Sequence, residues 1–459
     1  MTKAKKAELS IEEKLQAAFV PENEQPYPVP ENWCWTRLGE ITSIIGGGTP
    51  SSSIAEYYDG GKIPWISPAD LSGYNEKYIS EGAKNITTLG LEKSSARLMP
   101  EGTVCLSSRA PIGYVVIARN SLCTNQGFKS FLPSKVYIPE YLYWYLKGNK
   151  ELLESYASGT TFLELSGSKA SKVEIPIAPF KEQQRIIDRI ESLFAKLDEA
   201  KEKAQAALDS FEMRKAAILH QAFTGELTAQ WRKEHGVGME SWKRNKLEDV
   251  CEKIVCGKTP KEYITLQGDV PYLKVYNIVD NQIDFSKKQQ FIPNEIHDGK
   301  LKSSRLNPKD VIMNIVGPPL RKIAIVTDQY PEWNMNQAIV RFRTKKNLDY
   351  KFLYYALLNP ETLNDVIQQT KGVVGQANIS VTQSRNLEIL IPSSVEQNEI
   401  VIRVEKIMNK GRHAQSLVQS VLNKIDLLKK SILARAFSGE LGTNDPAEEN
   451  ARELLKKVL

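Results

Sequence analysis

Residues that could carry phosphate chemistry do not form a catalytic pattern in this sequence. Lys258 and Thr259 follow Gly257 as they would at the end of a P-loop, but Glu252 stands where that motif needs its first glycine. The run GGGTPSSS at residues 46–53 could hold a phosphate through backbone N–H groups, yet it lacks the GxGxxG order and is better interpreted as a flexible turn. The loops therefore predict neither nucleotide binding nor a cofactor.

Metal and nucleophile chemistry are equally unsupported by residue spacing. The five cysteines form no CxxC pair and the four histidines are scattered, which predicts buried, reduced thiols instead of a zinc site or a disulfide framework. The sequence also lacks GxSxG, HExxH and an Asn- or Asp-Pro-Pro-aromatic run. A chain of 459 residues without a catalytic constellation suggests a binding protein. The cysteines are Cys34, Cys105, Cys123, Cys251 and Cys256.

The sequence segments that must position any binding residues occur twice in the chain. ILHQAFTGEL at residues 218–227 returns as ILARAFSGEL at residues 432–441, an offset of 437 − 223 = 214 between the two phenylalanines. A period this long is too large for a solenoid repeat and predicts a duplicated domain followed each time by a helix. Other matched positions are Trp33 and Trp242, Thr49-Pro50 and Thr259-Pro260, and Asn125-Gln126 and Asn336-Gln337.

Two long helices are predicted from apolar residues that step by three and four over residues 181–223 and again over residues 400–432. Each helix would span roughly 40 residues, or about 60 Å. A seam of that length favours packing of the two copies on each other as a coiled coil, with alanines and Gly411 allowing close approach. The alternative is that each helix merely covers its own domain.

Each domain reads as mixed α/β, with about 150 residues and a sheet. Short β-type runs such as VCLSS, YVVIA, VIMNIV and KIAIV are separated by Gly and Pro, and the helical run EYLYWYLKGNKELLESY follows in the first copy. LQAAF at residues 15–19 repeats the helix end and predicts that the amino terminus supplies the helix end that the first domain would otherwise lack.

Composition limits the class of protein. Hydrophobic residues at 41% and charged residues at 25% are typical of soluble globular proteins, and no apolar run approaches the roughly 18 residues of a membrane span. The amino terminus lacks a secretory signal, so we expect a cytoplasmic protein. Net charge is +6; residues 33–180 contribute 14 − 13 = +1, and residues 242–391 contribute 22 − 16 = +6.

This arrangement resembles the specificity (S) subunit of type I restriction-modification systems. The resemblance covers nearly the whole chain, although LIPSS at residues 390–394 lacks the first proline of IPIAP at residues 175–179, which leaves the local geometry of that junction open. The motifs are PYPVPENW at residues 26–33, NQGF at 125–128, IPIAP with Glu182-Gln183, and AFTGELTAQWR at 222–232.

The resemblance implies an α/β protein with two target-recognition domains, separated by a long antiparallel helical coiled coil that acts as a spacer. It also implies recognition of a bipartite double-stranded DNA target, with no catalysis by this chain. Two methyltransferase subunits and the restriction (translocase) subunits would be its partners and would hold the cofactors. The expected boundaries are 1–26 for a helical segment packing with the long helices, 27–180 and 227–394 for the recognition domains with the linker, and 181–226 and 395–459 for the helices and tail.

Candidate DNA contacts are polar or basic loop residues, because base edges and phosphates need such side chains. Asn125-Gln126 and Asn336-Gln337 recur in both domains and are interpreted as turn-forming. The rival functions are a coiled-coil adaptor whose domains bind protein and a stand-alone methyltransferase or nuclease. The candidates are Thr49, Ser51, Ser52, Ser67, Ser108, Arg109, Tyr114, Thr160, Lys169 and Lys172 in the first domain, and Lys258, Thr259, Lys274, Tyr276, Asn277, Arg321, Lys322 and Gln376 in the second.

Overall fold

The computed structural model describes residues 10–159, 163–317, 319–370 and 378–458. Two of the predicted DNA contacts, Thr160 and Gln376, lie outside these ranges. The chain divides into two compact units, Met1–Lys203 with Val421–Leu459 and Ala204–Ser420. Each unit contains one copy of the duplicated domain and parts of both long helices.

The domain of the first unit is built on two sheets. The larger has five strands in the order Ile44–Gly46, Phe128–Phe131, Val104–Ser108, Ile112–Ala118 and Tyr78–Ile79. The smaller has three, in the order Lys84–Ile86, Ile63–Ile66 and Cys123–Thr124. A separate antiparallel pair, Cys34–Arg37 with Glu174–Ile177, joins the start of the domain to its end.

The domain of the second unit repeats this plan. One sheet has the order Val255–Cys256, Ile339–Phe342, Val311–Asn314 and Ile323–Ile325; another has the order Phe291–Ile292, Val270–Leu273, Trp333–Met335 and Arg305–Leu306. A short hairpin joins Ile278–Val279 to Gln282–Ile283. Lys243–Lys246 pairs with Glu388–Ile391 in the register of the first copy, so the missing proline of the second junction does not change this pairing.

Helices follow the strands as the pattern predicts, apart from a break in EYLYWYLKGNKELLESY. Asn149 separates Pro139–Gly148 from Lys150–Tyr156, and its side chain donates to the Tyr145 carbonyl oxygen. The other α-helices of the first unit are Ile11–Ala18, Leu38–Ile41, Thr88–Glu92, Gly167–Ala170 and Arg452–Leu455; those of the second are Ala229–His235, Leu247–Val250, Asn294–Asp298, Tyr350–Leu358, Pro360–Thr370 and Val381–Arg385.

The two long helices, Phe180–Phe223 and Ser394–Phe437, have 44 residues each and pack together, which confirms the predicted coiled coil. In the first unit Asp198 pairs with Lys429, and Lys201 pairs with Asp426 at 3.7 Å. Residue numbers rise along one helix as they fall along the other, so the pairing is antiparallel. The role predicted for Gly411 is wrong, because no described atom lies within 4 Å of a Cβ built there.

Each domain receives a helix end into its core. In the second unit the Phe223 ring packs edge-on against Phe352 at 5.2 Å. In the first unit the corresponding Phe437 packs against Tyr141 and Tyr145, each at 5.0 Å. The second long helix therefore supplies the helix end that we predicted from residues 15–19. Leu15 and Ala18, from the amino-terminal helix, are buried in the same core as Phe437.

Among the described residues, none of the helices is both long and apolar enough to cross a membrane.

Candidate nucleic-acid interface

The glycine-rich loop of the first domain is packed against its neighbours. A Cβ at Gly47 would lie 1.9 Å from the Asn125 carbonyl oxygen, and one at Gly48 would lie 2.2 Å from the Ala96 nitrogen. Trp65 donates from its indole nitrogen to the Gly48 carbonyl oxygen at 2.9 Å. These glycines are therefore needed for close approach of backbone segments, which corrects the interpretation of the loop as a simple flexible turn.

The second domain holds the equivalent loop by equivalent contacts. A Cβ at Gly257 would lie 2.3 Å from the Asn336 carbonyl oxygen. The Tyr272 hydroxyl, at the position of Trp65, donates to the Lys258 carbonyl oxygen at 2.7 Å. The same surface is thus built twice, with tyrosine in the second domain at the position of tryptophan in the first.

A threonine–glutamine pair lies on this surface in each domain. The Thr49 hydroxyl donates to Gln126 Oε1, and the Thr259 hydroxyl donates to Gln337 Oε1. Both glutamines are exposed, so each amide nitrogen stays available to a partner outside the domain. Ser51 and Ser52 are also exposed beside Thr49, and Lys258 is exposed beside Thr259.

The two glutamines were not among the predicted contacts. Their recurrence indicated a turn, and the structure does show that Asn125 Oδ1 accepts from the Gly127 N–H at 2.8 Å. The turn, however, places the neighbouring Gln126 on the surface next to Thr49. Recurrence of the Thr-Pro and Asn-Gln dipeptides together was the signal that could have revealed the pair.

A charged cluster surrounds the end of strand Val104–Ser108. Glu164 lies 3.9 Å from both Arg109 and Lys129, measured between charged atoms. The Lys129 ammonium donates to the Ser108 hydroxyl at 3.2 Å. Burial lowers the pKa of Lys129, with Glu164 opposing that shift. Arg109 is half-exposed and carries the accessible positive charge of this cluster.

Two predicted contacts are corrected by their burial. Ser108 and Asn277 have no exposed surface, so neither side chain can touch a base edge. Ser108 donates to the Gly127 carbonyl oxygen at 3.0 Å, and Asn277 Oδ1 accepts from the Lys274 N–H at 3.0 Å. Both residues support the loops that carry their neighbours.

Ser67 occupies the position in the first domain that Lys274 occupies in the second. Its hydroxyl donates to Asp70 at 2.7 Å, and its own N–H donates to the same carboxylate. Ser67 is therefore tied to a capping contact through its side chain, whereas the half-buried Lys274 contacts Asn277 at the equivalent turn through its backbone N–H. This difference changes the chemistry of one loop while its geometry is kept.

The remaining candidates occupy several places. Arg321 is exposed with a positive φ of 73° and donates to Asn364, next to Lys322. Tyr114 and Tyr276 are half-buried, and the ammonium of Lys288 lies 5.6 Å from the Tyr276 ring centre. Lys169 and Lys172 lie at the segment whose Ser171 carbonyl oxygen accepts from the Gly39 N–H.

Buried carboxylates anchor each domain to its long helix. Trp33 donates to Glu182 at 2.8 Å in the first unit, and Trp242 donates to Glu396 at 3.0 Å in the second. Glu182 also accepts from Asn444 at 2.9 Å, whereas Glu396 pairs with Arg232 at 2.7 Å. The segment after each long helix thus closes onto the domain of its own unit.

Four cysteines are buried as predicted, while Cys256 is half-buried. Burial raises the pKa of Cys34, Cys105 and Cys251 to about 12 and that of Cys123 to about 11. In the part of the chain that the structure describes, no cluster of His, Cys, Asp or Glu could hold a metal ion.

The sequence of the chain is similar to those of known proteins. The model of the type I restriction modification DNA specificity domain matches twice, at residues 30–208 and 239–417. The MjaIX type I restriction enzyme specificity subunit of Methanocaldococcus jannaschii is 31% identical, over 90% of this chain and 94% of that protein. The EcoKI specificity subunit of Escherichia coli K12 is 24% identical, over 94% and 95% of the two chains.

Solved structures agree on the fold. A chain from a study of complex assembly and conformational transition of the type I R-M system superposes with a TM-score of 0.72 at 17% identity, covering 91% of this chain and 100% of that one. The HsdS subunit of Thermoanaerobacter tengcongensis gives a TM-score of 0.57 at 18% identity, with coverage of 91% and 100%.

Proposed function

Since the chain belongs to the type I restriction-modification specificity family, we propose that it recognises a bipartite DNA target through the threonine–glutamine surfaces of its two domains. The observation that carries this proposal is the duplicated surface itself: Thr49 with Gln126, and Thr259 with Gln337. Glutamine and threonine side chains can hydrogen-bond base edges in the major groove.

Differences around the shared pair would provide two different half-sites. The first domain adds Ser51, Ser52 and Arg109, and the second adds Lys258, Lys274 and Arg321. Thr160 and Gln376, which lie outside the described residues, stay in the proposed set because they are polar. The greater positive charge of the second domain would strengthen its phosphate contacts.

Two recognition domains also provide the binding energy that discrimination among genomic sites requires. One domain touching a few base pairs discriminates poorly among genomic sites, and recognition energies of well-separated contacts add approximately. The long helices would set the distance between the half-sites. An unspecified gap between two specified elements follows directly from this arrangement.

The chain would do no chemistry itself. Two methyltransferase subunits would bind the helices and modify an adenine in each half-site, while restriction subunits would translocate and cut DNA in the cytoplasm. Any S-adenosylmethionine, ATP or magnesium would belong to those partners. A stand-alone enzyme would instead show labelling by S-adenosylmethionine or metal-dependent cleavage with the isolated chain.

Salt dependence separates DNA recognition from protein binding by an adaptor. For the complex with its methyltransferase subunits, Lys258→Ala should weaken binding similarly for all DNA sequences and reduce the salt slope by about 1. Gln337→Ala should cost about 0.5–1.5 kcal/mol, as for one lost hydrogen bond, at one half-site only. Lys246→Ala is the control, because it also removes an exposed cation but lies away from the proposed surface. Lys246 is opposite Glu388 in the antiparallel strand pair that precedes the long helix. A flat salt dependence of the parent complex would contradict DNA recognition.

A further inference from the structure

A cavity of about 340 Å³ lies within the second unit, where the two long helices meet helix Tyr350–Leu358. Ligand pockets commonly begin at about this volume and combine apolar walls with a few polar groups. The lining has that character, because aromatic and aliphatic side chains form much of it. They include Phe211, Ile218, Tyr355, Leu358, Ile407 and Met408.

The corresponding place in the first unit carries larger side chains. Phe194 and Leu197 stand 214 residues before Met408 and Gly411 (408 − 194 and 411 − 197). The Phe194 ring packs edge-on against Trp144 at 5.0 Å, and Trp144 holds the position that Tyr355 holds in the second domain. The second unit therefore has thinner or smaller residues, Met408 and Gly411, at two positions that line its cavity.

Gly411 is the residue that keeps the space open. It lies inside helix Ser394–Phe437, where glycine is less favourable than alanine. A Cβ built there has no described atom within 4 Å, so helix packing does not require the glycine. The glycine therefore leaves open space on this face of the helix.

The charges around the cavity also differ between the units. In the first unit Asp198 forms an ion pair with Lys429. The corresponding positions in the second unit are Arg412 and Lys215, and both line the cavity. Lys215 lies 3.8 Å from Glu212. The cavity lining includes four cations, Arg214, Lys215, Lys410 and Arg412, against the two acids Glu212 and Asp280.

We propose that this cavity binds a small organic anion with an aromatic or branched apolar body. The apolar walls would take the body, since burial of apolar surface is the main source of affinity. The excess cations would favour an acidic head group such as a carboxylate or sulfonate.

Tyr355 can assist such a head group. Burial raises the pKa of Tyr355 to about 12, so its hydroxyl remains a hydrogen-bond donor at neutral pH. Arg412 lines the same cavity as Tyr354 and Tyr355. The Tyr354 hydroxyl is already used, because it donates to the Asn281 carbonyl oxygen at 3.0 Å.

Two fluorescent probes of the same shape test the proposal on the full chain: 1-anilinonaphthalene-8-sulfonate and its uncharged parent, N-phenyl-1-naphthylamine. We expect one saturable site for the sulfonate, with affinity about two- to fivefold higher than that of the uncharged probe at low salt. Arg412→Gln should remove most of this preference. Gly411→Leu, which restores the residue of the first unit, should weaken binding of both probes at least tenfold.

Ser416→Leu is the matched control, because it adds the same side chain at an exposed position of the same helix. It should bind both probes as the parent does. Met408→Phe is a second filling variant, and circular dichroism verifies that each variant folds. Absence of a saturable site in the parent, or binding by Gly411→Leu and Met408→Phe equal to the parent, would overturn the proposal. Equal affinity for the two probes would overturn its anionic part.

Discussion

Replacement of Arg232 by methionine should open the junction between the second domain and its long helix. Arg232 is 8% exposed and its partner Glu396 is 0% exposed, so the substitution leaves a carboxylate without its cation inside the protein. Arg232 donates to Glu396 at 2.7 Å, to Thr228 at 3.0 Å and to the Gly225 carbonyl oxygen at 2.6 Å. All three bonds would be lost together.

The expected cost follows from this burial. Breaking a buried ion pair by removing one partner destabilises proteins by about 3–5 kcal/mol. Since each 1.4 kcal/mol is a factor of ten, the local opening equilibrium should rise roughly 100-fold or more. Thr228 and Trp242 would still donate to Glu396, which places the estimate toward the lower end of this range.

Native-state hydrogen exchange measures this opening without requiring the whole chain to unfold in one step. The amides to follow are those of strand Lys243–Lys246, which pairs with Glu388–Ile391 just before the helix. Arg244→Met on the same strand is the control. Its ion pair with Glu388 spans 3.5 Å and is exposed, so it should contribute less than about 1 kcal/mol.

A double variant shows whether the uncompensated charge is responsible. Arg232→Met with Glu396→Gln removes both charges, so exchange should be slower than in Arg232→Met alone. Equal exchange in the single and double variants would refute the electrostatic reasoning and leave only lost packing of the arginine stem.

Two further outcomes concern the first unit. Burial raises the pKa of Glu182 above its ordinary value, so ionisation of Glu182 destabilises the folded protein, and that stability is regained as pH falls through the folded pKa. Glu182→Gln should therefore become more stable relative to the parent as thermal melts move from pH 4.5 to pH 7.5. A stability difference that stays constant with pH would disprove this. Phe437→Ala should lower the free energy of unfolding by denaturant by about 3–5 kcal/mol, because its ring is fully buried against two tyrosines. Leu427→Ala, at an exposed position of the same helix, should lower it by less than about 0.5 kcal/mol. Similar losses for the two variants would contradict the assigned packing.

Periodic and repeated features of the sequence were sufficient for the architecture. The long helices follow from apolar residues at steps of three and four, and strand Val104–Ser108 follows from VCLSS between turn residues. Both signals are local, because they depend on which face of an element is apolar.

The burial of single residues and the contacts between distant segments depend on tertiary packing and could not be predicted from the sequence. Ser108 and Asn277 are polar residues, yet neighbouring segments bury them completely. Gly411 looked suited to close helix contact, but the cavity beside it depends on Met408 and on helix Tyr350–Leu358, which is distant in sequence. The contact of the carboxy-terminal tail with the first unit likewise depends on distant residues, because Asn444 donates to Glu182, 262 residues away.

Methylation mapping after domain exchange tests the central claim most directly. The chain is co-expressed with its methyltransferase subunits, before and after residues 33–180 are replaced by the corresponding domain of another specificity subunit. Adenine methylation across the genome should show a motif split by an unspecified gap, and the exchange should alter one half while the other half is kept. A continuous motif, or a change in both halves, would contradict recognition by two independent domains.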